Sequence, residues 1–217
     1  MNEILPYLEP IHFIELIEKS AYNPLQIGHK IKVFQHDQFD IDTIDIFIIG
    51  CGESRGHSSQ KNWNNAPDAI RRELYRMYDW HDELKVADLG NIIEGHTEAD
   101  TKAALTYVLE EIYKTNKIAL VLGGSQDLTI QQYHPFKKNG AIVEMVNIDM
   151  LIDLEDQEAL NEQSYLFDIL TAQPNYVSHF SSIGFQSYYT NPAILQTLDR
   201  LRFDCHRLGK VRSQIEE

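Results

Sequence analysis

The stretch from Val121 to Thr129 reads VLGGSQDLT, an apolar run that ends in two glycines and a polar cluster. A second stretch, from Val146 to Asp153, reads VNIDMLID and has the same organisation. In open α/β sheets, ligands bind beyond the carboxyl ends of the strands, where such polar clusters lie. The two stretches therefore predict an α/β protein with a candidate functional site at the carboxyl edge of its sheet.

Apolar runs alternate with amphipathic stretches along the rest of the chain, a pattern typical of βαβ units and a mainly parallel sheet. The pattern predicts an N-terminal extension over residues 1–42, which packs on the core, and one continuous domain over residues 43–217. The predicted strands are Ile31 to Phe34, Ile44 to Gly50, Leu84 to Leu89, Lys117 to Leu122, Ala141 to Ile148, Tyr176 to Gly184 and Leu201 to Cys205. The predicted helices are Pro10 to Ser20, Pro67 to Tyr78, Glu98 to Asn116, one from about Asp127, Pro192 to Leu198 and one from about Arg207.

The charge of the chain restricts the classes of partner. The sequence has 19 Lys and Arg against 33 Asp and Glu, a formal net charge of −14. Such a surface repels the phosphates of nucleic acids and of anionic lipids, so neither nucleic acid nor a membrane is an expected partner. A solvated acidic surface explains the excess of acidic residues more simply than a cation site does.

The sequence favours a location in the cytoplasm. The two cysteines, Cys51 and Cys205, are far apart in the sequence and indicate neither a zinc ribbon nor a disulfide framework, which fits a reducing compartment. The N-terminus has no basic segment before an apolar core, so no signal peptide is expected. No apolar run approaches the ~20 residues that are needed to cross a bilayer.

Several segments keep the order and the spacing of one family's motifs. They are Ile48 to Gly50, Asn65 to Leu74, Asp88 to Ile92, Gly123 to Gln126 and Asp149 to Asp153. Together they resemble the ureohydrolases (arginase, agmatinase and formimidoylglutamase), and the N-terminal extension and Phe203 to Gly209 are most similar to the formimidoylglutamase and arginase-like branch. The resemblance implies a three-layer α/β/α domain with a mainly parallel sheet.

The resemblance also implies a metal site, of which this chain keeps only a part. In the family, six protein ligands hold two Mn²⁺ ions, whose hydroxide attacks a guanidinium or imine carbon. The motifs Gly-Gly-x-His and Asp-x-His-x-Asp supply two histidines, but the corresponding residues here are Gln126 and Leu151. Asp149 and Asp153 remain, and the third motif, Asp-x-Asp, would lie beyond Glu217. Leucine has no lone pair, and a neutral amide is a poor substitute for imidazole.

We therefore expect no bound cofactor, or at most weak binding of a divalent cation by Asp149 and Asp153. The alternative for these two carboxylates is a structural role, in which they cap the following turn. The predicted function is that of a catalytically inactive homologue with a binding, regulatory or assembly role. The competing hypothesis is a manganese-dependent hydrolase of C–N bonds in a guanidino or formimino compound, completed by residues outside this chain.

Other residues give weaker indications of a site. Asp127 is expected to cap the N-terminus of a helix, and His134 and His179 fall at no ligand position of the family. The loop from Gly50 to Gly56 is rich in glycine, but no helix begins inside it, as a dinucleotide-binding loop requires. A nucleotide or small-molecule sensor is thus the least favoured function. Cys51 is expected to be an unreactive residue at a strand end rather than an activated thiolate.

The number of predicted strands bears on the completeness of the sheet. In the resembled family the last two strands lie between the third and the fourth, and this chain ends after about six core strands. Either the natural polypeptide continues, or the third and fourth strands pair directly. The sequence favours a continuation, because an unfilled centre would expose apolar surface and unpaired backbone. An open sheet region should bind a partner, so we expect a homo-oligomer, most simply a dimer.

Overall fold

The structure, a computed structural model, describes residues 3–57, 63–81, 83–156 and 163–214. Strands alternate with helices along the chain, as the sequence predicts. The strands are β1 (Leu8–Glu9), β2 (Lys32–Val33), β3 (Ile46–Cys51), β4 (Val86–Ile92), β5 (Ile118–Gly123), β6 (Val143–Ile148), β7 (Val177–Phe185) and β8 (Asp204–Arg207). The helices are α1 (Ile14–Ile17), α2 (Ile27–Lys30), α3 (Ala66–Leu74), α4 (Glu98–Lys114), α5 (Thr129–Lys138), α6 (Tyr165–Thr171), α7 (Pro192–Arg200) and α8 (Leu208–Gln214). In the described ranges, none of these helices combines the length and the apolar character needed to span a membrane.

The N-terminal segment differs from its prediction. In place of one helix over Pro10 to Ser20, the chain forms the single-turn helix α1 and a 3-10 turn at Lys19–Ala21. A continuous helix would turn Ile11 and Ile14 towards the same face, but Ile11 is buried and Ile14 is 68% exposed. The burial of Ile11 and Leu16 in the core beside the sheet therefore overrides the helical pattern. Strand β1 and helices α2 and α6 also have no counterpart in the prediction.

The chain divides into two compact units, Met1–Pro135 and Phe136–Glu217, and each has its own sheet. The sequence predicts an extension over residues 1–42 that packs on the core, followed by one continuous domain, and this division stays a prediction. The extension is part of the first unit, because β1 and β2 both pair with β4. The division after Pro135 falls inside α5, where the sequence has no linker composition that would signal it.

In the first unit the strand order is β1-β4-β3-β5, and β2 also pairs with β4. The strands β3, β4 and β5 run parallel. On one face of the sheet Phe47 packs in the same core as the apolar side of α4. On the other face Ile48 packs with Leu74 of α3, which gives the α/β/α layers that the resemblance implies. Because β3 and β5 pair in register, Cys51 lies beside Gly123 at their carboxyl ends.

A buried ion-pair network ties α3 to β4. The guanidinium of Arg71, which has no exposed surface, donates to both carboxylate oxygens of Asp88 at 2.8 and 2.9 Å. It also donates to Asp68 at 2.8 Å, to Asn91 at 2.6 Å and to the Gly90 carbonyl at 2.8 Å. All N–H groups of the guanidinium thus have an acceptor, which is the condition for a stable buried charge.

The second unit contains a parallel sheet in the order β6-β7-β8. Its buried apolar residues come from the turn after β6, from β7 and from the helices α6 and α7: Ile152, Tyr165, Leu166, Ile169, Phe180, Phe185, Ile194 and Leu198. Pairing of β6 with β7 continues to Ile148 and Ile183, and the backbone N–H of Asp149 then donates to the Ile183 carbonyl at 3.1 Å. The carboxyl end of β6 is thereby held beside β7.

Among the strands with a single partner within the described residues are β5, which pairs with β3, and β6, which pairs with β7. Apolar side chains are exposed on both strands, with Ile118 at 60% and Leu120 at 42% on β5, and Val146 at 63% and Ile148 at 78% on β6. The two strands belong to different sheets. The direct pairing of the third and fourth core strands, which the sequence leaves open, therefore does not occur among the described residues.

Candidate functional site

The first unit brings the loops after β3 and β5 together at the carboxyl edge of its sheet. The backbone N–H of Gly124 donates to the Cys51 carbonyl at 2.7 Å, and that of Ser125 donates to the Glu53 carbonyl at 2.9 Å. A Cβ atom on residue 124 would lie 2.2 Å from the Glu53 carbonyl oxygen. Glycine is therefore required here, because any side chain would push the two loops apart.

Glu53 is a buried carboxylate at the centre of this edge. Its Oε1 accepts the backbone N–H groups of Ser54 at 3.0 Å and of Arg55 at 2.8 Å, and it also accepts Nε–H of Arg55 at 3.0 Å. Burial alone would raise the pKa of Glu53, but the hydrogen bonds and the charge of Arg55 outweigh it and lower this pKa to about 2. Glu53 is therefore ionised at neutral pH.

Arg55 extends this contact to the loop after β4 and to α4. Its guanidinium donates to the Gly95 carbonyl at 3.3 Å and to Thr101 Oγ1 at 3.0 Å. It also lies 3.6 Å from the Glu94 carboxylate. One side chain thus links the loop after β3 to the loop after β4 and to α4, which fixes the geometry of the carboxyl edge in this unit.

Asp127 does not have the capping role that the sequence predicts. It lies in a 3-10 turn, Gln126–Leu128, and its buried Oδ2 forms an ion pair with Nζ of Lys102, which also contacts Glu98. The spacing of Glu98 and Lys102 on α4 is a local signal, but their contact with Asp127 is long-range and cannot be read from the sequence. Oδ1 of Asp127 and Oγ of Ser125 are buried and have no hydrogen-bond partner among the described residues. Such atoms are available to a water molecule or a ligand.

A cavity of 320 Å³ opens at this edge of the first unit. Four carboxylates contribute to its lining, those of Glu9, Glu53, Asp68 and Glu94, together with neutral polar groups that include Asn91. Asp68 and Glu53 are paired with arginines, whereas Glu9 forms no ion pair within the described residues. The excess of carboxylates favours cations over anions in this cavity.

The second unit holds the other part of the motif, in the turn after β6. Asp149 Oδ1 accepts the backbone N–H of Leu151 at 3.2 Å, which is the local turn contact expected of an aspartate in a structural role. Asp153 is buried, and its carbonyl accepts the backbone N–H of Leu166 in the first turn of α6. The Leu151 side chain is half-buried.

Tyr165, which the sequence pattern does not mark as a site residue, lies near the two aspartates. Burial raises the pKa of Tyr165, and the nearby carboxylates of Asp153 and Asp149 raise it further. Both carboxylates therefore lie close enough to one hydroxyl to act on it electrostatically. The hydroxyl itself faces Asn147 Oδ1 at 3.5 Å. Its helix, α6, has the apolar spacing of an amphipathic helix, which is the signal that could have found it.

These donors do not fit the dimanganese site that the resemblance implies. Of the corresponding residues, Asp149 and Asp153 offer carboxylate oxygens, Leu151 offers no donor, and Gln126 belongs to the first unit, where its side chain is exposed. Among the residues that the structure describes, no three His, Cys, Asp or Glu side chains are grouped so that they could hold a metal ion. The assignment of Asp149 and Asp153 as residual ligands stays a prediction.

The loop after β3 has neither an activated cysteine nor the helix start of a dinucleotide-binding loop. Burial raises the pKa of the Cys51 thiol to about 11, so this cysteine is protonated at neutral pH. Helix α3 begins at Ala66, ten residues beyond Gly56, so the helix does not begin inside the glycines as a dinucleotide-binding loop requires. Nε2 of His179 lies within hydrogen-bond distance of Asp204 Oδ2, at 3.0 Å, and His134 is exposed on α5.

Comparisons with known proteins identify the family. Residues 44–214 match the model of the Arginase family, and no curated protein matches the sequence. Among solved structures, the chain is similar to a formiminoglutamase from Trypanosoma cruzi with Mn²⁺₂ (18% identity, TM-score 0.72, 87% of this chain and 67% of that chain). It is also similar to the formimidoylglutamase from Bacillus subtilis subsp. subtilis str. 168 (14%, 0.70, 99% and 68%). A third similar structure is a hypothetical agmatinase from Burkholderia thailandensis (17%, 0.66, 82% and 57%).

The chain spans 57 to 68% of the length of these solved chains. At such low sequence identity the structural likeness establishes the fold and not the activity. The mixed α/β architecture with mainly parallel sheets agrees with that fold. The match to the family model covers more than half of the sequence, and we conclude that the chain belongs to the arginase family.

Proposed function

We propose that this arginase-family chain does not carry out dimanganese hydrolysis and acts instead, in the cytoplasm, as a binding, regulatory or assembly component. The observation that carries the proposal is Leu151, which stands between Asp149 and Asp153 where the family motif has a metal-binding histidine. A leucine side chain offers no lone pair in any rotamer. Gln126 replaces the other histidine, and its amide oxygen is a weak, neutral donor for Mn²⁺.

The remaining side chains of the motif do not replace the missing chemistry. Hydrolysis by this family depends on metal ions that lower the pKa of bound water towards neutrality. Asp149 is engaged in a turn contact with the backbone of Leu151, and burial keeps the hydroxyl of Tyr165 protonated. Neither group generates a hydroxide at neutral pH, so the proposal includes no hydrolytic step.

The acidic cavity of the first unit supports a binding role. Its lining is held in place by hydrogen bonds that run from Arg55 to Glu53, Gly95 and Thr101. Glu9 and Glu94 add carboxylates at its surface. These features fit a small cationic molecule better than an anionic one.

Titration calorimetry with Mn²⁺ on chelator-treated protein tests the absence of the metal pair. We expect no saturable uptake of two ions, and any residual binding should have a Kd weaker than about 0.1 mM, as for cation sites with few charged ligands. The double variant Asp149→Asn/Asp153→Asn is the matched control, and it should abolish any residual heat.

Tight uptake of two ions per chain would contradict the proposal. If the double variant then lost this uptake, the result would support the competing hypothesis of a manganese-dependent C–N hydrolase. If the double variant kept it, the ions would bind elsewhere, and the alignment of Asp149 and Asp153 with the family motif would be wrong.

We also propose that the chain forms a homodimer, as expected for a sheet with an open edge. The support is strand β5, whose sequence IALVLG carries no charged residue and exposes Ile118 and Leu120. Apolar edges of this kind pair readily with other chains.

Sedimentation velocity should show a dimer at micromolar concentration. The fraction of dimer should rise with salt, because salt screens the repulsion between two chains of net charge −14. A stable monomer, or a dimer that Ile118→Lys leaves intact, would count against pairing at this edge.

A further inference from the structure

A second cavity lies in the first unit at the amino ends of the parallel strands, and the candidate site at the carboxyl ends does not use it. Its volume is 590 Å³, within the ~300 to 1,000 Å³ of small-molecule sites. Apolar side chains form most of its lining, among them Ile46, Ile48, Val86 and Leu120 from three strands, Leu74 from α3 and Ile31 next to α2.

The cavity is open to solvent on its apolar side. Leu84 and Leu120, which both line it, are 46% and 42% exposed. Burial of an aliphatic chain against such side chains strengthens binding several-fold with each CH₂ group. An apolar ligand of moderate length would therefore gain affinity with each carbon that it places in the cavity.

The charged groups around the cavity are predominantly basic. Lys30, Lys32 and Lys85 line it, against a single carboxylate, that of Asp79. Asp79 is already engaged by Lys30 at 2.9 Å and by the backbone N–H of His81 at 3.0 Å.

The two other lysines are not neutralised by carboxylates. Lys32 and Lys85 are exposed and form no ion pair with the carboxylates that the structure describes. Asp45 lies nearby, but its contact is with the backbone N–H of Lys85 at 2.8 Å. A positive rim in a chain of net charge −14 makes this cavity the place where an anion would be attracted.

We propose that this cavity binds a free medium-chain aliphatic carboxylate, with the hydrocarbon chain against Ile46, Ile48 and Leu120 and the carboxylate at Lys32 and Lys85. The apolar lining selects the chain, and the lysine rim selects the anionic head. A cationic amphiphile would meet the same lining but would be repelled by the rim. None of the residues of the acidic cavity at the carboxyl edge lines this second cavity, and it shares Leu120 alone with the β5 edge at which we propose dimerisation.

Titration calorimetry with decanoate tests the proposal on the full chain. We expect saturable binding of one decanoate per chain, about 10-fold weaker binding of octanoate because two CH₂ groups are lost, and much weaker binding of decyltrimethylammonium. No saturable binding of decanoate, or equal binding of the cationic amphiphile, would overturn the proposal. Co-sedimentation of the protein with zwitterionic phosphatidylcholine vesicles, in place of decanoate binding, would also overturn it, because the apolar surface would then bind a membrane.

Two variants locate the site. Lys32→Glu/Lys85→Glu reverses the charge of exposed side chains and should weaken decanoate binding at least 10-fold. The control Lys138→Glu/Lys210→Glu changes the net charge equally at residues that are not part of the lining and should leave binding unchanged. Leu84→Glu should weaken binding as well, because it places a carboxylate at the mouth. Circular dichroism confirms that each variant is folded. Unchanged binding in the Lys32→Glu/Lys85→Glu variant would refute the assignment.

Discussion

Replacement of Arg71 by methionine should lower the free energy of unfolding by about 3 to 5 kcal/mol, the usual cost of breaking a buried ion pair. Methionine fills a similar volume but leaves the Asp88 carboxylate, which has no exposed surface, without its counterion. Asp88 keeps the hydroxyl of Tyr75 at 2.8 Å and the N–H of Gly90 at 2.9 Å as donors, but these are neutral groups. They cannot compensate a buried negative charge.

Urea unfolding followed by tryptophan fluorescence measures the loss of stability of the first unit. Both tryptophans, Trp63 and Trp80, belong to the first unit, so the signal reports the unit that contains Arg71. Arg72→Met is the matched control on the next residue. Arg72 is partly exposed, and its contact with Glu15 at 3.3 Å is a surface pair, so the control should change stability by less than about 1 kcal/mol. Equal effects of the two variants would show that the buried network is not what holds α3 to β4.

The network also bears on the candidate site. Asp68 and Asn91, which accept hydrogen bonds from Arg71, line the acidic cavity at the carboxyl edge. Loss of Arg71 should therefore disorder the cavity as well as weaken the fold. The buried arginine is a positioning residue for the site, although it does not face the cavity.

Gly90→Ala should destabilise the first unit by about 2 to 4 kcal/mol, because two unfavourable effects add at this position. Gly90 has a φ of +85°, in the left-handed region that residues with a Cβ atom rarely adopt. A Cβ atom would also lie 2.1 Å from the carbonyl oxygen of Glu9, in the strand β1 that pairs with β4. The backbone cannot relieve this clash without separating the two strands.

Gly123→Ala is the control for this substitution. The nearest atom to a Cβ at residue 123 is Cδ1 of Leu128 at 4.0 Å, and the φ of Gly123 is not positive. Alanine is therefore accommodated there. Tryptophan fluorescence during urea unfolding should show a loss in Gly90→Ala and little change in Gly123→Ala. If Gly90→Ala unfolds at the wild-type urea concentration, β1 is not held against β4 as the structure shows.

Elements defined by local patterns could be predicted from the sequence. Helix α4 was expected over Glu98 to Asn116 and is found over Glu98–Lys114, because its start depends on a capping box of Thr97 and Asp100 and its face on apolar residues at helical spacing. The core strands were also predicted to within a few residues, since a continuous apolar run indicates a strand buried on both faces. These signals act between residues that are close in the chain.

The family could also be read from the sequence, and the match over residues 44–214 confirmed it. The information lay in the order of several motifs, such as Gly123 to Gln126 and Asp149 to Asp153, and not in any one of them. The same motifs show the departures at residues 126 and 151, and on these the functional proposal depends. Residue identity at a motif position is fully visible without a structure.

By itself, the sequence determined the α/β class, the positions of the core elements, the family and the missing histidines, because each depends on residue type or on local spacing. Only the tertiary structure decided that the N-terminal helix breaks, that Asp127 binds Lys102 instead of capping a helix, and that the chain divides after Pro135. It also decided the low pKa of Glu53 and the lysine rim of the second cavity. These features depend on contacts between residues that are far apart in the chain, which bury side chains and bring charges together. The sequence pattern does not indicate which distant residues come into contact.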